Sequence, residues 1–296
     1  MDPVRWTRRP SLRRPVLVAA FEGWNDAGDA STTAARWLAD RLDARPFATI
    51  DCEEFFDFTS TRPRVEMVDG ESRRVLWPET QLSAAAVGAN SRDVVVLIGT
   101  EPQLRWPTFC RHIVGIAKDL GVEMVVTLGA LLAEVPHSRP TSVIGTAYDP
   151  AVVDALGLQR STYEGPTGIV GVLHDACQQA GIQSASLWAA VPTYVPGAPS
   201  PKAALALVER TATLLGMSVI TTDLEIAAAS YERQISELVA SDDDTSSYVA
   251  RLEARTDGEC DEDDVDDDES VAELSEDNAG ELVEELERYL RDHRTD

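Results

Sequence analysis

Four short apolar runs, residues 15–21, 94–99, 124–129 and 186–191, recur along the chain with helical periodicity between them, and this alternation is the strongest constraint on the fold. A strand with one wet face would alternate apolar and polar residues. These runs are nearly continuous, so each reads as a strand buried on both sides. Helical patterns occupy residues 29–42, 108–120, 168–180 and 201–215, each closing near a glycine or proline. The expected class is therefore α/β, a sheet flanked by helices. Every run ends in Gly, Pro or acidic residues, so the strand C-termini open into loops, the edge where such sheets bind ligands. Residues 64–77 carry Asp69-Gly70 between two β-prone stretches, the signal of a β-hairpin inserted in the core and expected to touch a second copy.

Charge divides the chain. Residues 241–296 hold 23 acidic and 5 basic side chains, −18 of the net −25, so residues 1–240 are only mildly acidic. Leu224, Ala228, Tyr231, Ile235 and Leu238 fall on one helical face, while residues 257–269 are almost wholly acidic and cannot pack a core. The expected organisation is an N-terminal arm (1–14), an α/β core (15–222) and a helical extension able to form a lid (223–256). An acidic linker (257–269) and a C-terminal helix (270–296), with Leu286, Tyr289 and Leu290 in register, complete it.

These features also exclude function classes. An acidic chain whose one basic cluster is Arg5, Arg8, Arg9, Arg13 and Arg14 is repelled by phosphate backbones, so no nucleic-acid partner is expected. Residues 16–21 are too short for a signal sequence, and no stretch is long enough to span a bilayer, so the expected compartment is the cytoplasm. Cys52, Cys110, Cys177 and Cys260 are scattered, which indicates neither a disulfide framework nor a zinc site; no metal or cofactor is expected.

Polar residues gather in the loops. Phe21-Glu-Gly-Trp-Asn-Asp-Ala-Gly28 places Glu22, Asn25 and Asp26 between a strand and a helix. Its glycine spacing is that of a phosphate loop, but Asp29-Ala30 stands where Lys-Ser or Lys-Thr is required. Asp26 or Asp29 is read as the cap of the next helix. Glu134, His137 and Arg139 lie within one proline-stiffened loop, where an imidazole beside a carboxylate can act as a base and a guanidinium can hold an anion; a surface salt-bridged loop is the competing reading. Tyr163 and Glu164 precede a helix start, with Thr167 read as its N-cap. Tyr194 and Lys202 lie in a turn-rich segment, and Cys110, His112, His174 and Cys177 fall in helical patterns and read as packed core.

Taken together, Phe21-Glu-Gly-Trp-Asn-Asp-Ala-Gly-Asp29, Glu134-Val-Pro-His-Ser-Arg-Pro140, Tyr163-Glu-Gly-Pro-Thr-Gly168 and Ser200-Pro-Lys-Ala203 resemble the actinobacterial branch of the proteasome assembly chaperone two family over about residues 13–250. The resemblance implies a three-layer core similar to the purine nucleoside phosphorylase and peptidyl-tRNA hydrolase fold, a trimer, and a helical C-terminal segment able to cover a pocket. Eukaryotic and archaeal relatives assemble or bind proteasome rings, some through a terminal hydrophobic-Tyr-X motif. Arg288-Tyr289-Leu290 looks like that motif, although residues 291–296 follow it.

Two functions follow as expectations. The first in rank is a protein-interaction module with a proteasome-related partner. The alternative is a small-molecule-binding or hydrolytic protein in which Glu22, Asn25, Asp26, Glu134, His137, Arg139, Tyr163 and Glu164 converge at the strand C-termini. Phosphorolysis is disfavoured because the loops are mostly acidic, and no residue is assigned a catalytic role.

Overall fold

The computed structural model describes residues 3–258 apart from 71, 89–90 and 162–163. The first half comprises β1 (Val4–Trp6), β2 (Val16–Glu22), α1 (Ala30–Arg41), β3 (Arg45–Ile50), β4 (Arg64–Val68), β5 (Ser72–Leu76), β6 (Thr80–Ala85) and β7 (Val94–Thr100). It continues with α2 (Trp106–Asp119), β8 (Met124–Ala133), β9 (Val143–Ala147), α3 (Pro150–Leu156), β10 (Gln159–Arg160) and α4 (Ile169–Gln179). The described chain closes with β11 (Gln183–Pro192), α5 (Pro201–Leu215), α6 (Thr222–Val239) and α7 (Asp243–Thr256).

Nine strands form one sheet of order β1-β3-β6-β7-β2-β8-β11-β9-β10. The four apolar runs of the sequence are its central strands, β7, β2, β8 and β11, all parallel. Their continuous hydrophobicity has a direct cause. Val16, Val18 and Ala20 of β2 face Ala34 and Leu38 of α1 and Leu207 of α5 on one side. Leu17, Ala19 and Phe21 face Phe109 and Ile113 of α2 and Leu173 of α4 on the other. Helix, sheet and helix thus make three layers, and neither face of β2 is left to water.

The flanking strands are antiparallel additions: β6 beside β7, β3 beside β6, and β9 beside β11. β3 shifts register between Pro46 and Ala48, where a proline without an amide hydrogen interrupts the ladder. β4 and β5 pair only with each other, as the expected hairpin, with Asp69 and Gly70 both at positive φ in the turn.

α6 and α7 fold back on the core. Asp242 caps α7 by accepting the Thr245 amide at 2.9 Å. Leu224, Ala228, Tyr231 and Ile235 point inward as the periodicity predicts, but Leu238 is 61% exposed and Val239 is buried instead. From Ile235 a step of three or four residues is equally helical, and contact with Val249 of α7 and Tyr194 and Val195 of the core selects the fourth. Residues from 259 on, which include most of the acidic linker, the final helix and Leu286, Tyr289 and Leu290, lie outside the described residues. Among the described residues no helix is long and apolar enough to cross a membrane.

This register is testable by denaturant unfolding. Ile235→Ala should lower stability by about 2–4 kcal/mol, whereas Leu238→Ala should stay within about 0.5 kcal/mol of the parent. Equal effects would mean that α6 is rotated from the orientation described.

Candidate functional site

The loop after β2 is shaped by one buried carboxylate. Asp26, 6% exposed, accepts the Ser31 amide at 2.7 Å, the Ser31 hydroxyl at 2.6 Å and the Thr32 amide at 3.2 Å, with the Thr32 hydroxyl on its other oxygen. It therefore caps α1 from five residues away, while Asp29 makes no side-chain cap. Burial raises the Asp26 pKa, and the four hydrogen bonds pull it back down. Glu22 turns outward, paired with Arg36 and accepting Thr100 Oγ1 at 3.1 Å.

Asn25 is brought to a residue that sequence reading missed. Its amide donates to Glu101 Oε1 at 3.3 Å, and the same oxygen accepts the Ile169 amide, the first of α4, at 2.8 Å. Glu101 at the end of β7 is thus the acceptor at the start of α4, in place of the expected Thr167; the N-cap position itself is Gly168 and makes no side-chain bond. A Cβ at Gly168 would lie 2.4 Å from the Asn25 amide and 2.8 Å from Glu101, so glycine is required for this approach. Burial raises the Glu101 pKa against the opposing pull of the Ile169 and Trp24 amides. A Glu-Pro pair directly after a buried strand was the available sequence signal.

Glu134, His137 and Arg139 meet the helical extension rather than the β2 loop. The Tyr194 hydroxyl accepts the His137 amide at 2.7 Å and lies 2.8 Å from His137 Nδ1. The Ser236 hydroxyl of α6 donates to the Glu232 carbonyl at 2.8 Å and so accepts from His137 Nε2 at 3.0 Å, which places the ring hydrogen on Nε2. This chain holds a neutral imidazole. Burial first, and then the Lys202 charge, lower its pKa. Lys202 also binds Glu232 at 2.6 Å. Arg139 Nε donates to Asp257 at 2.8 Å, and Arg255 lies 3.5 Å from the Glu134 carboxylate.

The eight predicted ligand residues thus separate. Asn25 lies at the β2–α4 junction, Asp26 at the start of α1 and Glu22 on the outside of the same loop; Glu134, His137 and Arg139 are engaged by α6 and α7; Glu164 is exposed, and Tyr163 lies outside the described residues. A cavity of about 110 Å³ remains beneath α6, lined in part by His137, Ser200, Lys202 and Tyr231. Among the described residues no cluster of three or more His, Cys, Asp or Glu side chains is arranged to hold a metal.

The PAC2 family model matches residues 20–239, from the end of β2 to the end of α6. The chain belongs to the PAC2 family. A PAC2 family protein from Streptomyces avermitilis is 44% identical with a TM-score of 0.74, covering 79% of this chain and 99% of its own. A proteasome-assembly chaperone homologue from Mycobacterium tuberculosis is 46% identical with a TM-score of 0.72, over the same shares of both chains. An archaeal proteasome activator from Pyrococcus furiosus, 15% identical with a TM-score of 0.67 over 80% of this chain and 99% of its own, shares the fold. A search of curated proteins finds no match.

This PAC2 chain carries a second polar cluster inside its core. His174 of α4, 4% exposed, contacts Ser184 Oγ through Nδ1 at 2.8 Å and both Thr127 Oγ1 (2.9 Å) and Ser186 Oγ (2.5 Å) through Nε2. With no charged partner, burial depresses its pKa from 6.5 to about 4. By contrast, the buried Cys110 and Cys177 thiols are pushed up to about 12 and are inert as nucleophiles at neutral pH.

Because the folded pKa of His174 lies below the unfolded one, the unfolded chain takes up the proton first as pH falls. Its contribution is complete above pH 6.5 and is lost towards pH 4, about 3 kcal/mol in all. Asp26 and Glu101, with raised pKa values, act with the opposite sign over the acidic range. Urea midpoints measured from pH 7.5 to 4.5 should fall more steeply in the parent than in His174→Gln. Parallel curves would show that His174 is not held neutral by the fold.

Proposed function

We propose that the chain is a protein-interaction module of the proteasome-assembly type, acting as a cytoplasmic homo-oligomer on a proteasome-related partner. The observation that carries this reading is the 46% identity to the Mycobacterium tuberculosis proteasome-assembly chaperone homologue across 99% of that chain. The fold relationship to the archaeal proteasome activator points the same way. Residues 257–296, with Leu286, Tyr289 and Leu290, are the proposed partner-binding segment, and α6–α7 the proposed lid. Co-purification from a cell extract should recover proteasome-related proteins with the full chain and lose them when the chain stops at residue 256. Identical partner sets would remove the tail from the interaction, and the absence of any proteasome-related protein would overturn the reading.

The hairpin supports self-association. Val65, Met67, Val75 and Trp77 stand at alternating positions on one of its faces and are 62%, 55%, 47% and 52% exposed. A lone two-stranded ribbon is marginal in water, and an apolar stripe of this kind marks a contact surface. The trimer expected from the family resemblance would use this face. Light scattering on the double variant Val65→Ser/Val75→Ser should report a smaller mass than on the parent, with circular dichroism unchanged; an unchanged mass would move the contact elsewhere.

A further inference from the structure

The cavity of about 110 Å³ beneath α6 is lined by a buried group that the fold leaves unsatisfied. Tyr231 of α6 is 6% exposed, and its hydroxyl makes no hydrogen bond. The neighbouring Ser200, 3% exposed, also lines the cavity but stands outside bonding geometry with it. A buried hydroxyl left in this way is unfavourable, and an occupant of the cavity that accepts from it removes the defect. Ser200 is itself held in place. Its amide donates to the Gly28 carbonyl at 2.7 Å and its Oγ accepts the Ala203 amide at 3.2 Å, which leaves the hydroxyl proton without an acceptor among the described residues. Burial raises the Tyr231 pKa, so that group too keeps its proton.

The charge around the cavity is one-sided. Lys202, its side chain 15% exposed, uses two of its three ammonium protons on the His137 carbonyl and on Glu232, leaving one. Lys202 and Arg139 are the charged side chains among the described lining residues, whereas their partners Glu232, Glu253 and Asp257 do not line it. Glu232 is 41% exposed, so it keeps its charge in water while a cavity anion shares Lys202. Ser200 and Lys202 also belong to the N-terminal turn of α5, the positive end of a 15-residue helix dipole. Val135, Pro136, Pro140 and Pro192 supply apolar wall. A cavity of about 150 Å³ takes benzene with its six heavy atoms, so one of about 110 Å³ scales to about four or five. Cationic and hydroxyl donors on one side, apolar wall on the other and this volume together describe a short carboxylate.

We propose that the cavity binds a small aliphatic monocarboxylate of the size of acetate or propionate, its oxygens accepting from Tyr231, Ser200 and Lys202 and its alkyl end against the prolines. This site goes beyond the interaction role proposed above and does not depend on it. Full-length protein titrated with isotope-labelled acetate at constant ionic strength, followed by ligand NMR, should saturate at millimolar concentration. Acetamide, of the same shape but neutral, should bind at least about tenfold more weakly, and benzoate, about twice the size, should not compete. Tyr231→Phe removes only the unsatisfied hydroxyl, so it should melt no lower than the parent and bind acetate about tenfold more weakly. A lower melting temperature would show that the hydroxyl is already satisfied within the fold, and would overturn the proposal. So would absence of saturation by acetate, acetamide binding as well as acetate, displacement of acetate by benzoate or by an equal concentration of inorganic phosphate, or unchanged acetate affinity in the folded Tyr231→Phe variant. The ligand comparisons on the parent need no variant to fold.

Discussion

The structure depends on burying four parallel strands on both faces at once. Once β7, β2, β8 and β11 carry apolar side chains above and below the sheet, helices must cover both sides, and α1 with α5 and α2 with α4 do so. Parallel strands in turn place their C-termini along one edge, where backbone groups leave the ladder and need new partners. Asp26 and Glu101 meet that need with carboxylates, the first by gathering Ser31 and Thr32, the second by receiving Ile169. The polar edge is therefore a consequence of the apolar centre, and part of its acidity serves helix starts rather than ligands.

That edge has two halves with different closures. On the β8 side, Glu134, His137 and Arg139 are tied to α6 and α7 by a neutral hydrogen-bond chain and by ion pairs. The ion pairs are partly exposed and individually worth little, but they act together with the buried contact of Tyr231, Ile235, Val239 and Val249. On the β2 side, Trp24 and Asn25 stay beside an open cavity with a buried imidazole at its inner end. One half is covered by the protein's own extension, with a cavity of about 110 Å³ beneath it, and the other is not.

The centre of the fold was legible because burial on both faces leaves a mark that needs no partner to read: runs such as Val94-Val-Val-Leu-Ile have no polar phase. The flanking strands lack that mark. β1 is three residues with an arginine in the middle, β10 is Gln-Arg, and β3 contains a proline that breaks its ladder. Their strand character comes from the neighbour that offers hydrogen bonds, which is a tertiary fact. The same limit explains the site. Ser184 and Ser186 alternate within an apolar run, a visible hint, but only the pairing of β11 with β8 brings Thr127 opposite Ser186, and only α4 sets His174 on both. Grouping Glu22, Asn25, Glu134, His137 and Arg139 at one edge was within reach of strand polarity. Their division into two sites was not, because α6 and α7 decide it.

A neutral imidazole appears in both halves, held by opposite logic. His137 is held neutral by burial first and then by the Lys202 charge, with its ring hydrogen placed on Nε2 by Ser236. His174 is neutral because it is buried and no charged group offsets that burial. The first kind of neutrality ends if α6 moves and Ser236 leaves Nε2, so it is coupled to the position of the extension. The second persists whatever the extension does, since Thr127, Ser184 and Ser186 belong to the sheet itself. A movement of α6 can therefore alter the His137 half of the edge while leaving the His174 cluster intact.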